Sequence, residues 1–110
     1  MTYKIVLTQT ALEDIRAAAV YISDTLMNNK AANKLLDSVN EKIGILAETP
    51  YMNPLVRDSF LAANGIRFQL INNYIAFYVI DENEKIVSVI RFQHSRRDWM
   101  SLLRSETDFS

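Results

Sequence analysis

The segment His94-Ser95-Arg96-Arg97-Asp98-Trp99 holds most of the chemistry this sequence can offer. His94 is the only histidine of the chain, and histidine is the side chain that ordinarily changes charge near neutral pH. Arg96 and Arg97 set two planar guanidinium forks beside it, and Arg91 precedes it by three positions. Such forks suit phosphate and carboxylate groups. Cleaving RNA without a metal needs a group to deprotonate the 2′-OH, cations on the phosphate and a proton for the leaving oxygen. On that scheme His94, Arg97 and Arg91 are the candidate catalytic residues, and Arg67, Arg96 and Trp99 the candidate target contacts. Plainer roles compete for the same residues. His94 can cap a strand end, and Arg97–Asp98 can be a local ion pair worth under about 1 kcal/mol if exposed. Trp99 reads first as an anchor that docks the last helix on the core, and Tyr74 and Tyr78 as half-buried sheet residues.

The elements that must position these residues follow from periodicity. Tyr3, Ile5 and Leu7 alternate as in a strand. Thr10-Ala11-Leu12-Glu13 has the pattern of a capping box. Leu12, Ile15, Ala19, Ile22 and Leu26 then form one helical stripe that ends at Asn28-Asn29. A second stripe, Ala32, Leu35, Leu36, Val39, Ile43 and Leu46, predicts a helix from Ala31 to Ala47, closed by Thr49-Pro50. Residues 50–64 read as a loop, with or without a short turn of helix. Three strands follow, joined at Asn72-Asn73 and at residues 81–84, and the last runs from Lys85 to Phe92. Beyond Ser95 the pattern is helical again, with a polar, frayed tail from Ser105. The order β-α-α-β-β-β-α predicts an α+β fold in a single domain, residues 1–110. An antiparallel sheet of about four strands would carry the helical hairpin on one face. Alternation places Arg67 and Arg91 on a common, helix-free face of the meander, a candidate surface for a polyanion.

Composition excludes whole classes of function. The chain has 110 residues and no cysteine, which removes disulfides, thiolate metal sites and a cysteine nucleophile. With one histidine, no metal site and no other cofactor is expected. No apolar run reaches membrane-spanning length, and the opening strand is too short for a signal peptide, so a cytoplasmic protein without a membrane partner is expected. The net charge of −1 is an uneven average. Residues 86–104 hold four arginines against Asp98, a balance of +3, and the remainder carries −4. Any anionic target is expected at the end of the last strand.

The meander Asn72-Asn73-Tyr74-Ile75-Ala76-Phe77-Tyr78-Val79-Ile80, the strand Val87–Phe92 and the His94–Trp99 segment together resemble the RelE/ParE toxins of type II toxin–antitoxin systems. Tyr3–Leu7, Leu12 and the helical hairpin fit the same pattern, so the resemblance covers roughly Tyr3 to Leu103. It implies a bacterial toxin that arrests growth until a cognate antitoxin wraps it in a hetero-oligomer. Two modes of action are implied. RelE-like members cut mRNA on the ribosome without a metal, whereas ParE-like members poison DNA gyrase. The sequence departs from the RelE-like pattern at two places. Ile75 stands where those toxins carry an arginine after the tyrosine of the middle strand, and Ser101 is the nearest counterpart of their C-terminal tyrosine.

Overall fold

The computed structural model describes residues 2–107. Strand β1 (Lys4–Leu7) leads into helix α1 (Gln9–Val20), and helix α2 (Asn29–Ile45) follows. A short 3-10 turn (Pro50–Met52) and helix α3 (Ser59–Ala63) precede β2 (Arg67–Ile71), β3 (Tyr74–Asp81) and β4 (Ile86–His94), and helix α4 (Trp99–Thr107) comes last. The expected tail from Ser105 is helical as far as Thr107, and its final residues, 108–110, lie outside the described residues.

The first helix starts earlier than the capping box suggests. Thr8 is its cap, accepting from the Ala11 N–H at 3.1 Å. Thr8 wins over Thr10 because β1 delivers it beside β4, where its N–H reaches Val89 O at 3.1 Å and its hydroxyl donates to Ile90 O at 3.2 Å. Glu13, expected to reach back to the cap, pairs with Gln9 one turn away. At the far end α1 widens into a π-turn (Tyr21–Thr25), closed by the Leu26 N–H on Tyr21 O at 3.1 Å. Met27 then takes the left-handed conformation, φ 54°. Asn28 does not end the first helix; its side chain caps α2, accepting from Ala31 N at 3.0 Å. Leu26 and Leu36, expected in the two stripes, are exposed.

The sheet order is β1-β4-β3-β2. It is mixed, not antiparallel: β1 runs parallel to β4, from Lys4 beside Ile86 to Leu7 beside Val89. The cause lies in α2. That helix ends beside the start of β1, where the Tyr3 N–H donates to Ala47 O at 2.8 Å. β2 therefore begins at the same end of the sheet as β1, and two antiparallel turns give β4 that direction too. The Asn72-Asn73 turn forms as expected, with Asn72 at φ 55°.

Both faces of the sheet are covered. On one, Ala11, Ile15 and Ala18 of α1 and Leu35, Val39 and Ile43 of α2 pack on Ala76, Tyr78, Val87, Val89 and Phe92. On the other, Val56, Leu61 and Leu103 pack on Ile75 and Phe77, with Phe60, Phe68, Ile90 and Trp99 around them. No helix-free polar face of the meander exists among the described residues. Arg67 pairs in register with Tyr78 of the first cluster and Arg91 with Phe77 of the second, so the two arginines stand on opposite faces. A sheet this rich in apolar residues on both pleats buries both, because each exposed apolar face would cost roughly 25 cal/mol per Å² left in water.

Candidate target-binding site

β4 outlasts its parallel neighbour. β1 stops opposite Val89, so the outer edge of residues 90–94 has no strand beside it. Asp14 of α1 fills part of that gap. Its carboxylate accepts from the Phe92 N–H at 3.0 Å and from Arg91 Nε and Nη2 at 2.7 and 3.0 Å. The other side of the Arg91 guanidinium is taken by Glu106 of α4, where Nη1 donates to both carboxylate oxygens at 3.0 Å. Burial disfavours the Arg91 charge, but the hydrogen bonds and charges of Asp14 and Glu106 outweigh it and raise the pKa above its ordinary value. Arg91 is a fixed cation between two anions.

Past Arg91 the chain makes a tight turn. The Ser95 N–H donates to Asn73 O at 2.9 Å, the Arg97 N–H to His94 O at 3.0 Å and the Arg96 N–H to His94 Nδ1 at 3.1 Å. With Nδ1 accepting, the proton of the neutral imidazole sits on Nε2. Asp98 does not pair with Arg97. It caps α4 by accepting from the Ser101 N–H at 3.3 Å. The ring of His94 stands edge-on to Tyr74, 5.2 Å between centroids, and Tyr74 stacks on Phe92 at 4.9 Å. Burial, and then the neighbouring Tyr21, raise the Tyr74 pKa.

A cleft of about 420 Å³ opens here, with Asp14, Tyr21, Tyr74, Gln93, His94 and Arg97 in its lining. Of the six candidate site residues, it gathers His94 and Arg97. Arg96 is exposed on the adjoining turn, and neither Arg96 nor Arg97 forms an ion pair among the described residues. Arg91 lies on the opposite face. Arg67 sits on the far edge strand, donating to Asn53 O at 2.6 Å beneath the Tyr51 ring. Trp99 packs on Phe77 at 4.9 Å and docks α4. Tyr78, expected half-buried, is wholly buried, and its hydroxyl donates to Pro50 O at 2.7 Å.

Two lining residues escaped the reading of the sequence, Asp14 and Tyr21. A signal for both exists. Ala11, Asp14, Ala18 and Tyr21 are spaced three and four apart, so a carboxylate and a phenol lie on the very stripe that faces the sheet. A charged group on an apolar stripe calls for a partner, and Arg91 is that partner.

The chain matches the family described as the ParE toxin of the type II toxin–antitoxin system, parDE, over residues 5–99. Its fold is similar to that of a chain in the Mycobacterium tuberculosis RelBE2 toxin–antitoxin complex, with 20% identity, a TM-score of 0.61, and coverage of 86% of this chain and 99% of that one. It is also similar to the chromosomal ParDE system of P. aeruginosa (15% identity, TM-score 0.68, 84% and 96% covered). A third similar structure is a mutant E. coli RelE toxin in the free state (14% identity, TM-score 0.65, 97% and 98% covered). No curated protein sequence matches the chain. The match over most of its length places this chain in the ParE toxin family, as the toxin component of a type II toxin–antitoxin system.

Proposed function

We propose that this toxin arrests growth by binding DNA gyrase, without cutting nucleic acid. The observation that carries the reading is the state of Arg91. Asp14 fixes it through Nε and Nη2 and Glu106 takes Nη1, it stands on the face of the sheet away from the cleft, and the cleft keeps only His94 and Arg97 of the three candidate catalytic residues. RNA cleavage needs both a base and an acid. Beside His94, burial holds the Tyr74 phenol protonated beyond its ordinary range, which removes it as a base, and Asp14 is committed to Arg91 and Phe92. Ile75, where the resemblance places an arginine in RNA-cleaving toxins, is buried in the core. A binding toxin has no need of that machinery. It needs exposed anchors on a rigid frame, and Arg96, Arg97 and Tyr21 supply arginine and aromatic anchors at one end of the molecule.

A cognate antitoxin is the second partner in this reading. Two of the similar structures come from systems named as toxin–antitoxin pairs, and the apolar side chains left exposed at Val20, Leu26 and Met27 give such a partner a surface to cover. No described helix is long and apolar enough to cross a membrane.

The alternative reading is ribosome-dependent mRNA cleavage, favoured by one observation, that His94 and Arg97 share a cleft. Supercoiling by purified gyrase, run beside 5′-end mapping of mRNA from expressing cells, separates the two. Loss of supercoiling with no new mRNA ends is the expected pair of results.

A further inference from the structure

Arg91 and its two carboxylates carry an inference that is independent of which target the toxin takes. Between Phe77 and Tyr78 the pairing of β3 with β4 slips by one residue: Phe77 faces Arg91, Tyr78 faces Val89, and Ile90 is left unmatched. That bulge puts Ile90 and Arg91 together on the α4 side of the sheet. The two carboxylates on Arg91 are not equivalent. Asp14 is embedded, its side chain 14% exposed, and it also holds the Phe92 N–H. Glu106 is 41% exposed, stands in the last turn of α4, and has Arg91 as its partner. A cleft of about 260 Å³ opens at this place, lined by Thr8, Thr10, Ile90, Arg91, Leu103 and Glu106. Its floor is apolar, its cation is fixed in orientation by Asp14, and the group seated on that cation is a carboxylate delivered by the chain itself.

We propose that this cleft is a carboxylate-binding site which Glu106 fills from within, and that an acidic segment of a partner protein enters it by exchanging for Glu106. The orientation of Arg91 does not depend on Glu106, because Asp14 sets it through two hydrogen bonds. Removing Glu106 therefore leaves a preorganised fork with Nη1 open, the geometry that a second carboxylate meets at least loss of entropy. The apolar side chains of Ile90 and Leu103 in the lining favour a carboxylate flanked by an aliphatic residue over a bare ion. In the resting toxin Glu106 competes with every such segment.

The test is a titration of the full chain and of Glu106→Gln with the acidic peptide acetyl-Leu-Glu-Glu-Leu-amide, followed by NMR at the Arg91 Nε–Hε resonance. Glu106→Gln is expected to keep the parent amide spectrum outside α4 and to bind the peptide at least tenfold more tightly than the parent, with the Arg91 resonance moving. The glutamine counterpart of the peptide is expected not to bind. Equal affinity of parent and variant, or binding that leaves the Arg91 resonance in place, overturns the proposal. Inorganic phosphate binding the variant as tightly as the peptide also overturns it, since the cleft would then be a site for any anion.

Discussion

His94 and Arg97 converge because hydrogen bonds from the Ser95, Arg96 and Arg97 N–H groups fold this segment into a turn, one of them made to the imidazole itself. Their closeness in sequence made that convergence legible. The fate of Arg91 was not, since its partners lie 77 and 15 residues away, and no local pattern reports a contact between a first helix and a last one. Arg97→Gln removes an exposed guanidinium without touching the core, so thermal stability should stay within about 0.5 kcal/mol. Inhibition of gyrase should weaken by a factor of roughly 30, the worth of an arginine anchor of about 2 kcal/mol, and a dose–response curve of supercoiling checks it. Tyr78→Phe deletes a buried hydroxyl bonded to Pro50 O and should cost about 1 kcal/mol at neutral pH in denaturant unfolding. The same variant changes the alkaline limb. Burial raises the Tyr78 pKa, with a smaller opposing effect of the Asn53 hydrogen bond and Arg67. Its phenol therefore ionises first in the unfolded chain, near the ordinary value of 10. The stability held by the neutral phenol is present below that pH and is lost as pH climbs through the raised folded value. Tyr78→Phe should flatten this loss.

Among the elements, α1 and α4 do more than cover the sheet. α1 stands in for a missing strand, with Asp14 satisfying the Phe92 N–H on the open edge of β4. Asp14→Ala would leave Arg91 with one exposed carboxylate and Phe92 with an unpaired donor. Loss of about 2–4 kcal/mol is expected by chemical denaturation, and much less for Glu106→Gln, whose pairing is half open to solvent. α4 is pinned by Leu103, 1% exposed, and by Trp99 on Phe77. Leu103→Ala should cost about 2–5 kcal/mol by the same measurement. The strands, the two long helices and the hairpin turn at Asn72-Asn73 were visible in periodicity and turn chemistry, because those are local; Asn28, expected to end the first helix, instead caps α2. The parallel pairing of β1 was not, because it depends on where α2 ends. The covered second face was missed for a related reason. α3 is only five residues long, and the apolar residues of the 50–64 segment show no period until they pack.

At the scale of the whole molecule, the net charge of −1 conceals an arrangement in space. The basic end of the sequence is thinned by folding: Asp14 and Glu106 cancel Arg91, and Asp58 lies 3.6 Å from Arg104. Arg96 and Arg97 remain as the exposed cations beside the cleft, too few to hold a long phosphate backbone, since affinity for such a partner scales with the phosphates neutralised. A compact protein surface is the better match for two arginines on a hydrogen-bonded turn and an exposed tyrosine at the end of α1. Gyrase binding is decided by the supercoiling activity of purified DNA gyrase titrated with the purified chain. Supercoiling is expected to be lost with the parent chain, and Arg97→Gln is expected to need roughly 30 times more protein for the same loss. Undiminished supercoiling at saturating toxin, with new 5′ ends in the mRNA of expressing cells, would contradict gyrase binding.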